Sequence, residues 1–188
     1  MRRAAVHGSW LLVALGGAAL CAAPLRPASG GAADRRPDAP VAQWRSWDLL
    51  VELHDLPRAY TCNDLWYRFR DVLMAIGARP FPQIIAYRCA ATAAASSRSP
   101  SVQLQFQLPD PLPQSQSRYA DVTVERSTVR LGPGKVPSFT AADCELLRQM
   151  NDKLLAALPV RVVGTLTCPT DASNERFALE VQALLPHS

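Results

Sequence analysis

The sequence predicts an α+β fold, a tandem β-α-β-β repeat forming one largely antiparallel sheet with two helices packed on one face. Three observations predict it. Tyr60, Thr61, Asp64, Pro80 and Cys89 are echoed without a gap, 79 positions later, by Phe139, Thr140, Asp143, Pro159 and Cys168. Within each half the apolar residues switch from alternate positions, which put one strand face in a core, to every third or fourth, which makes a helical stripe. Beyond the N-terminal segment four cysteines remain, two in each half.

The chain opens Met1-Arg2-Arg3, continues with an apolar run from Trp10 to Leu20, and passes through Ala, Gly, Pro and Ser to Ala33. This is the pattern of a signal peptide and cleavage zone, residues 1–33. Its run of 11 apolar positions is too short for a hydrocarbon core that needs about 20. Before Cys21, Leu20 and Ala18 stand in the reverse of the order that lipid attachment needs, so Cys21 is expected to leave with the signal. Losing Arg2, Arg3 and Arg26 reduces Lys plus Arg from 20 to 17, against 16 Asp plus Glu. The exported chain is then nearly neutral, and the sequence pI of about 9.0 belongs largely to the leader. That balance disfavours nucleic acid as a partner.

Residues 34–43, with Pro37 and Pro40 among charged and small residues, read as a flexible leader. The first unit, 44–108, begins with a strand through Leu49, Val51 and Leu53. A turn at Asp55 to Pro57 leads to a helix capped by Thr61, with Asp64 completing a capping box and Tyr60 placed to staple onto Leu65. Leu65, Trp66, Phe69, Val72, Leu73 and Ile76 form its stripe, and Gly77 ends it. A strand near Gln83 to Ala90, a loose Ala/Ser stretch and a strand alternating Val102, Leu104, Phe106 and Leu108 complete the unit. Pro109, Pro111 and Pro113 with the Gln/Ser run after them predict a linker at 109–118, because proline lacks the donor that a central strand needs. The second unit, 119–186, repeats the order: a strand in Tyr119 to Leu131, a turn at Gly132 to Pro137, and a helix capped by Thr140 with Leu147, Met150, Leu154, Leu155 and Leu158 inward. Pro159 stops that helix, and strands follow at Val160 to Cys168 and Phe177 to Leu184. Each unit alone has a small core, so 44–186 is expected to form one pseudo-symmetric domain.

An even cysteine count in an exported chain, with no C-x-x-C, predicts disulfides. A helix crosses the sheet one way and the next strand returns, so the helix start and the strand end lie at one edge. Cys62 and Cys89 have that relationship, and so do Cys144 and Cys168. The echo of Cys62 falls on Ala141, three residues before Cys144, which is one helical turn on the same face.

Catalytic chemistry is hard to place. His54 is the one histidine outside the signal and the extreme C-terminus, and its neighbour Asp55 points to the opposite face if both lie on a strand. No P-loop, G-x-S-x-G, H-E-x-x-H or dinucleotide glycine pattern occurs, so no catalytic residue, cofactor or metal is assigned. The densest cluster is Trp66-Tyr67-Arg68-Phe69-Arg70-Asp71. With Trp66 and Phe69 inward, Tyr67, Arg68 and Arg70 are expected toward solvent, flanked by Arg58 and Arg79, as a candidate patch for an anionic ligand or partner. The plainer reading is that arginine, at 18 against two lysines, is simply the surface cation here. Trp44 and Trp47 either close one edge of the core or form an exposed contact.

The function class that follows is an exported, periplasmic or secreted, disulfide-stabilised binding module whose partner is an unknown protein or envelope component. It would work through the open sheet face or the helix flank, with no transmembrane span in the mature chain. A carboxylate-dependent hydrolase of envelope polymers and a structural envelope component are the alternatives. Non-reducing peptide mapping of the mature protein is expected to recover Cys62 linked to Cys89 and Cys144 to Cys168, with no free thiol. Each bridge closes a loop of about 25 residues, stabilising on the order of 3 to 4 kcal/mol.

Overall fold

A computed structural model describes residues 40–90, 99–168 and 177–187. The chain runs β1 (Val41–Glu52), α1 (Cys62–Ala75), β2 (Gln83–Tyr87), β3 (Ser101–Pro111), β4 (Val122–Leu131), α2 (Cys144–Lys153), β5 (Arg161–Val163) and β6 (Leu179–Pro186). Short 3₁₀ turns occupy Gln114–Tyr119, Ala141–Asp143 and Leu155–Ala157. The expected signal segment, Cys21 and most of the loose Ala/Ser stretch lie outside the described residues.

Six strands form one sheet in the order β2-β3-β1-β4-β6-β5, and every adjacent pair is antiparallel. From the middle outward, one side reads β1, β3, β2 and the other β4, β6, β5, the same chain order in each half. The seam between the halves is narrow. β1 and β4 pair only at Val41 with Thr123 and Ala42 with Val122, whereas β1 and β3 run together from Ala42 to Glu52. Side chains must therefore carry much of the attachment between the halves.

The strands and helices share one core. Leu65, Phe69, Val72 and Leu73 of α1 and Leu146, Leu147 and Met150 of α2 cluster with Val51, Val102, Leu104, Leu131 and Val181. Burying each such side chain contributes roughly 1.5 to 3 kcal/mol. On α1 the inward residues recur at helical spacing, and on β3 Val102, Leu104, Phe106 and Leu108 are inward at every second position. Among the described residues no helix is long and apolar enough to cross a membrane.

Both expected bridges form, Cys62–Cys89 and Cys144–Cys168, with Cα separations of 5.2 and 5.5 Å. Beside the first, Ala90 N–H donates to the Tyr60 carbonyl at 3.0 Å, so the start of α1 and the chain leaving β2 are joined by backbone as well as by sulfur.

The structure moves several boundaries. β1 starts at Val41, inside the segment expected to be a flexible leader, because Ala42 lies between Pro111 and Val122 and is fully buried. β3 continues through Pro109 and Pro111, where a linker was expected. Leu112 N–H donates to the Val41 carbonyl, so the even-numbered positions here turn toward β1 and the prolines face the opposite edge. β2 reaches only as far as Gln105 of β3, so at 109 and 111 no partner strand requires an N–H. β4 begins at Val122 because the chain at Gln114–Tyr119 is a 3₁₀ turn. β5 is three residues long, ended by Gly164 at a φ of +87°.

Gly77 closes α1 in a Schellman arrangement, its N–H donating to Met74 O at 3.2 Å and that of Ala78 to Leu73 O at 2.9 Å. Its φ is +93°, and an added Cβ would lie 2.7 Å from the Leu184 carbonyl oxygen. Both the backbone conformation and the packing against β6 exclude a side chain. Gly77→Ala is expected to destabilise the protein by about 1 to 3 kcal/mol, read as a lower urea midpoint with an unchanged m-value.

Candidate functional site

The capping box at the second helix is also the centre of the junction between the halves. Asp143 is fully buried. Its Oδ2 accepts from the Thr140 N–H at 2.7 Å and hydroxyl at 2.8 Å. Its Oδ1 accepts from Arg58 at 2.6 Å and from the Tyr60 hydroxyl at 2.9 Å. Arg68 Nε lies 3.1 Å from the same oxygen, as an ion pair without hydrogen-bond alignment. Both guanidinium groups also stand over the Tyr60 ring, at 4.5 and 5.5 Å.

Burial by itself would raise the Asp143 pKa, but the Thr140 N–H and hydroxyl with the Arg58 and Arg68 charges outweigh it and hold the carboxyl below its usual range. Burial pushes the Tyr60 phenol upward, reinforced by Asp143, so it keeps its proton and donates it. At the first helix Asp64 repeats the box, accepting from the Thr61 N–H at 3.1 Å and hydroxyl at 2.7 Å. Its burial penalty is likewise outweighed by Thr61 and Arg68.

This corrects one expectation and divides a set. Arg68, expected toward solvent, is buried: it folds back over the first turn of α1, donating to Asp64 O at 3.0 Å, to reach Asp143. Arg58 joins it there, half-exposed. Tyr67 is half-exposed and packs edge-on to Trp66. Arg70 stands over the Trp66 ring and 3.5 Å from Asp71. Arg79 lies elsewhere, stacked on Trp44 at 4.5 Å and donating to Gln107 at 2.9 Å. Of the five, Arg58 and Arg68 meet around a carboxylate of the other half, Tyr67 and Arg70 share the Trp66 ring, and Arg79 stands apart from both pairs.

A second arrangement lies on the uncovered face of β1, β3 and β2. The positions of β3 between its inward residues are Gln103, Gln105 and Gln107, and register sets them beside Leu50, Asp48 and Ser46 of β1. Gln105 donates to Asp48 at 3.0 Å, Gln107 to Ser46 at 3.2 Å, and Tyr87 of β2 to Gln103 at 3.3 Å. The segment Arg79 to Pro82 crosses beside these strands and encloses a groove of about 480 Å³, lined by Ser46, Asp48, Phe81, Gln83, Gln105 and Gln107 among others. Phe81 is 95% exposed and holds a φ of +66°. An exposed aromatic side chain in the left-handed region forgoes burial and bears backbone strain at one position. Trp47 lines the groove and packs on the core, while Trp44 lies under the Arg79 guanidinium. The signal for this face was present in the sequence as glutamine at three alternate positions; the loop that turns it into a groove had no sequence signature.

His54 serves the junction through its backbone. Gln149 of α2 accepts from the His54 N–H at 2.9 Å and donates to its carbonyl at 2.6 Å. A shallow hollow of about 620 Å³ beside it contains Asp55, Glu145, Arg148, Asp152 and Lys153. Glu145 is held below its usual pKa by Arg148 first, with Gln149 adding, against burial, and Lys153 Nζ is taken up by the Glu52 carbonyl. Among the described residues no three His, Cys, Asp or Glu side chains are grouped as metal ligands.

No known protein family, curated protein or solved structure matches this chain.

Removing the charge of Asp143 leaves two arginines facing an uncharged amide. Asp143→Asn is expected to cost on the order of 3 to 5 kcal/mol, the range for breaking a buried ion pair. Because the folded pKa of Asp143 is depressed, its stabilisation is complete above about pH 4 and drains away as the pH falls through the folded value. For Tyr60 the sign is opposite: its raised pKa leaves stability intact up to about pH 10 and lost beyond it. Thermal melts of wild type and Asp143→Asn from pH 2 to 7 are expected to converge in acid. Curves that stay parallel would show that Asp143 is not the titrating group.

Proposed function

We propose that this protein is an exported binding module, periplasmic or secreted, whose ligand occupies the groove on the uncovered face of β1, β3 and β2. Two disulfides and an α+β sheet structure fit a disulfide-stabilised extracellular module. The export signal at 1–33 and the tandem units at 44–108 and 119–186, separated by 109–118, belong to the same proposal. The repeated order of strands about the seam and the paired capping boxes support the duplication.

The single observation that carries the binding reading is Phe81. A strained, exposed aromatic ring at the rim of an amide-lined groove contributes nothing to the core, and an aromatic of that kind supplies rigid contact area to a ligand. The amides and hydroxyls of Gln83, Gln105 and Ser46 offer directional hydrogen bonds beneath it. By contrast, Arg58 and Arg68 are spent on Asp143, which weighs against the helix flank as an anion site.

A carboxylate hydrolase is less well supported. It needs two carboxyl groups across a scissile bond, one of them kept protonated. Among the described residues Asp48 is the one carboxylate lining the groove. In the His54 hollow Glu145 is shifted the wrong way for a general acid.

The test separates binding from folding. At a φ of +66° glycine relieves the strain but loosens the unfolded chain, so Phe81→Gly is expected to change stability by less than about 1 kcal/mol. It is nonetheless expected to abolish capture of envelope components by the oxidised protein, as is Gln105→Ala in part. Capture unchanged by both substitutions, with stability also unchanged, would remove the groove as the site.

A further inference from the structure

Most described arginines are engaged by a carboxylate or a ring, as Arg45 is by Asp110 and Arg148 by Glu145. Among the described residues the guanidinium groups of Arg126 and Arg161 have no such partner. Both lie on one surface. β4 and β6 set Arg126 beside Leu184, Thr128 beside Gln182 and Arg130 beside Glu180. β5 sets Arg161 beside Gln182. Directly paired and alternate residues share a sheet face, so the three arginines and Glu180 stand together, with a net charge of three minus one, or +2. Arg130 is held by Glu180 at 2.7 Å, which leaves Arg126 and Arg161 as the uncommitted cations. Leu184 is buried between Ala42 and Val124, so the face between the arginines is flat and is floored by Thr128 and Gln182.

We infer that this face of β4, β6 and β5 binds an anionic polysaccharide laid across the strands. A guanidinium offers five donors in a plane that fits a carboxylate or phosphate group two bonds at a time. From the rise along a strand and the spacing between strands, Arg126, Arg130 and Arg161 form a triangle with sides of about 12 to 14 Å. That spread suits a ligand with several anionic groups in sequence and meets a lone anion at only one corner. The hydroxyl and amide between the corners suit a sugar chain. A membrane surface would draw on exposed apolar side chains beside the cations, a single-stranded nucleic acid on aromatic platforms, and a protein partner on a large apolar or aromatic anchor; among the described residues this face offers them Val163, 38% exposed, with Val122 and Pro186 half-buried at its edge and no aromatic ring on its strands. The inference stands on these residues alone, independently of the Phe81 groove.

The experiment uses the oxidised full-length mature protein and three probes: fluorescent oligogalacturonate, the same polymer with its carboxylates methyl-esterified, and phosphatidylglycerol vesicles. Binding to the free-acid polymer is expected, weakening as salt rises, with the ester at least tenfold weaker. Arg126→Glu with Arg161→Glu is expected to weaken binding at least tenfold. Arg70→Glu with Arg118→Glu, the same change in charge placed on α1 and on the 3₁₀ turn Gln114–Tyr119, where Arg118 stacks on Tyr119, is expected to leave it within twofold. If the double reversal fails to fold by near-ultraviolet circular dichroism, Arg126→Gln with Arg161→Gln provides the same comparison. Equal binding of acid and ester, binding confined to the vesicles, or loss of binding in both double variants alike would overturn the inference, as would binding unaffected by the Arg126 and Arg161 substitutions. Phe81→Gly is expected to leave this binding unchanged, so failure of one site is read separately from failure of the other.

Discussion

The buried carboxylate of Asp143 is the constraint on which the rest of this structure depends. An ionised group out of contact with water is tolerated only when hydrogen bonds and opposite charges surround it. Here the second half supplies the acid and its own cap through Thr140, while the first half supplies Arg58, Arg68 and Tyr60. Satisfying it therefore fixes how α1 stands against α2. The narrow pairing of β1 with β4 could not do that alone, and the Gln149 clamp on His54 adds a second fixed point between the halves.

Meeting that demand decides what is left for the surface. Two of the arginines that the helix sequence presents as a cationic patch are drawn into the junction, so the flank of α1 retains Arg70, occupied with Trp66 and Asp71. The accessible chemistry moves to the sheet. One half offers amides, hydroxyls and a strained phenylalanine; the other offers cations set apart on a flat strand face. The two uncovered surfaces are chemically different although the strands beneath them follow the same order.

The asymmetry is traceable to individual positions. The echo preserves the capping boxes, Thr61 with Asp64 and Thr140 with Asp143, and both close in the same way. Counting the same 79 positions onward, however, Tyr60 becomes Phe139, Arg58 becomes Pro137 and Arg68 becomes Leu147. The second half thus has the acid without the hydroxyl or either of the cations that neutralise it. Asp143 can be buried because the first half supplies what it needs.

Local rules made much of this legible in advance. The α+β class, the two caps, the helical stripes, the alternation on β3 and the pairing of the four cysteines all follow from spacing along the chain, because they concern residues a few positions apart or elements joined by one connection. What local rules could not reach were contacts between distant segments. Proline's missing N–H marks Pro109 and Pro111 as breakers, and only the shortness of β2 shows that no partner strand requires one. Helical periodicity puts Arg68 outward, because it knows nothing of an acid in the other half. The glutamines of β3 alternate with its inward residues, but their role as the floor of a groove depends on where residues 79–82 cross. Sequence alone determined the elements and their sulfur bridges; the tertiary structure decided which charges are buried and which remain free, since that choice depends on long-range approach and on the cost of removing an ion from water.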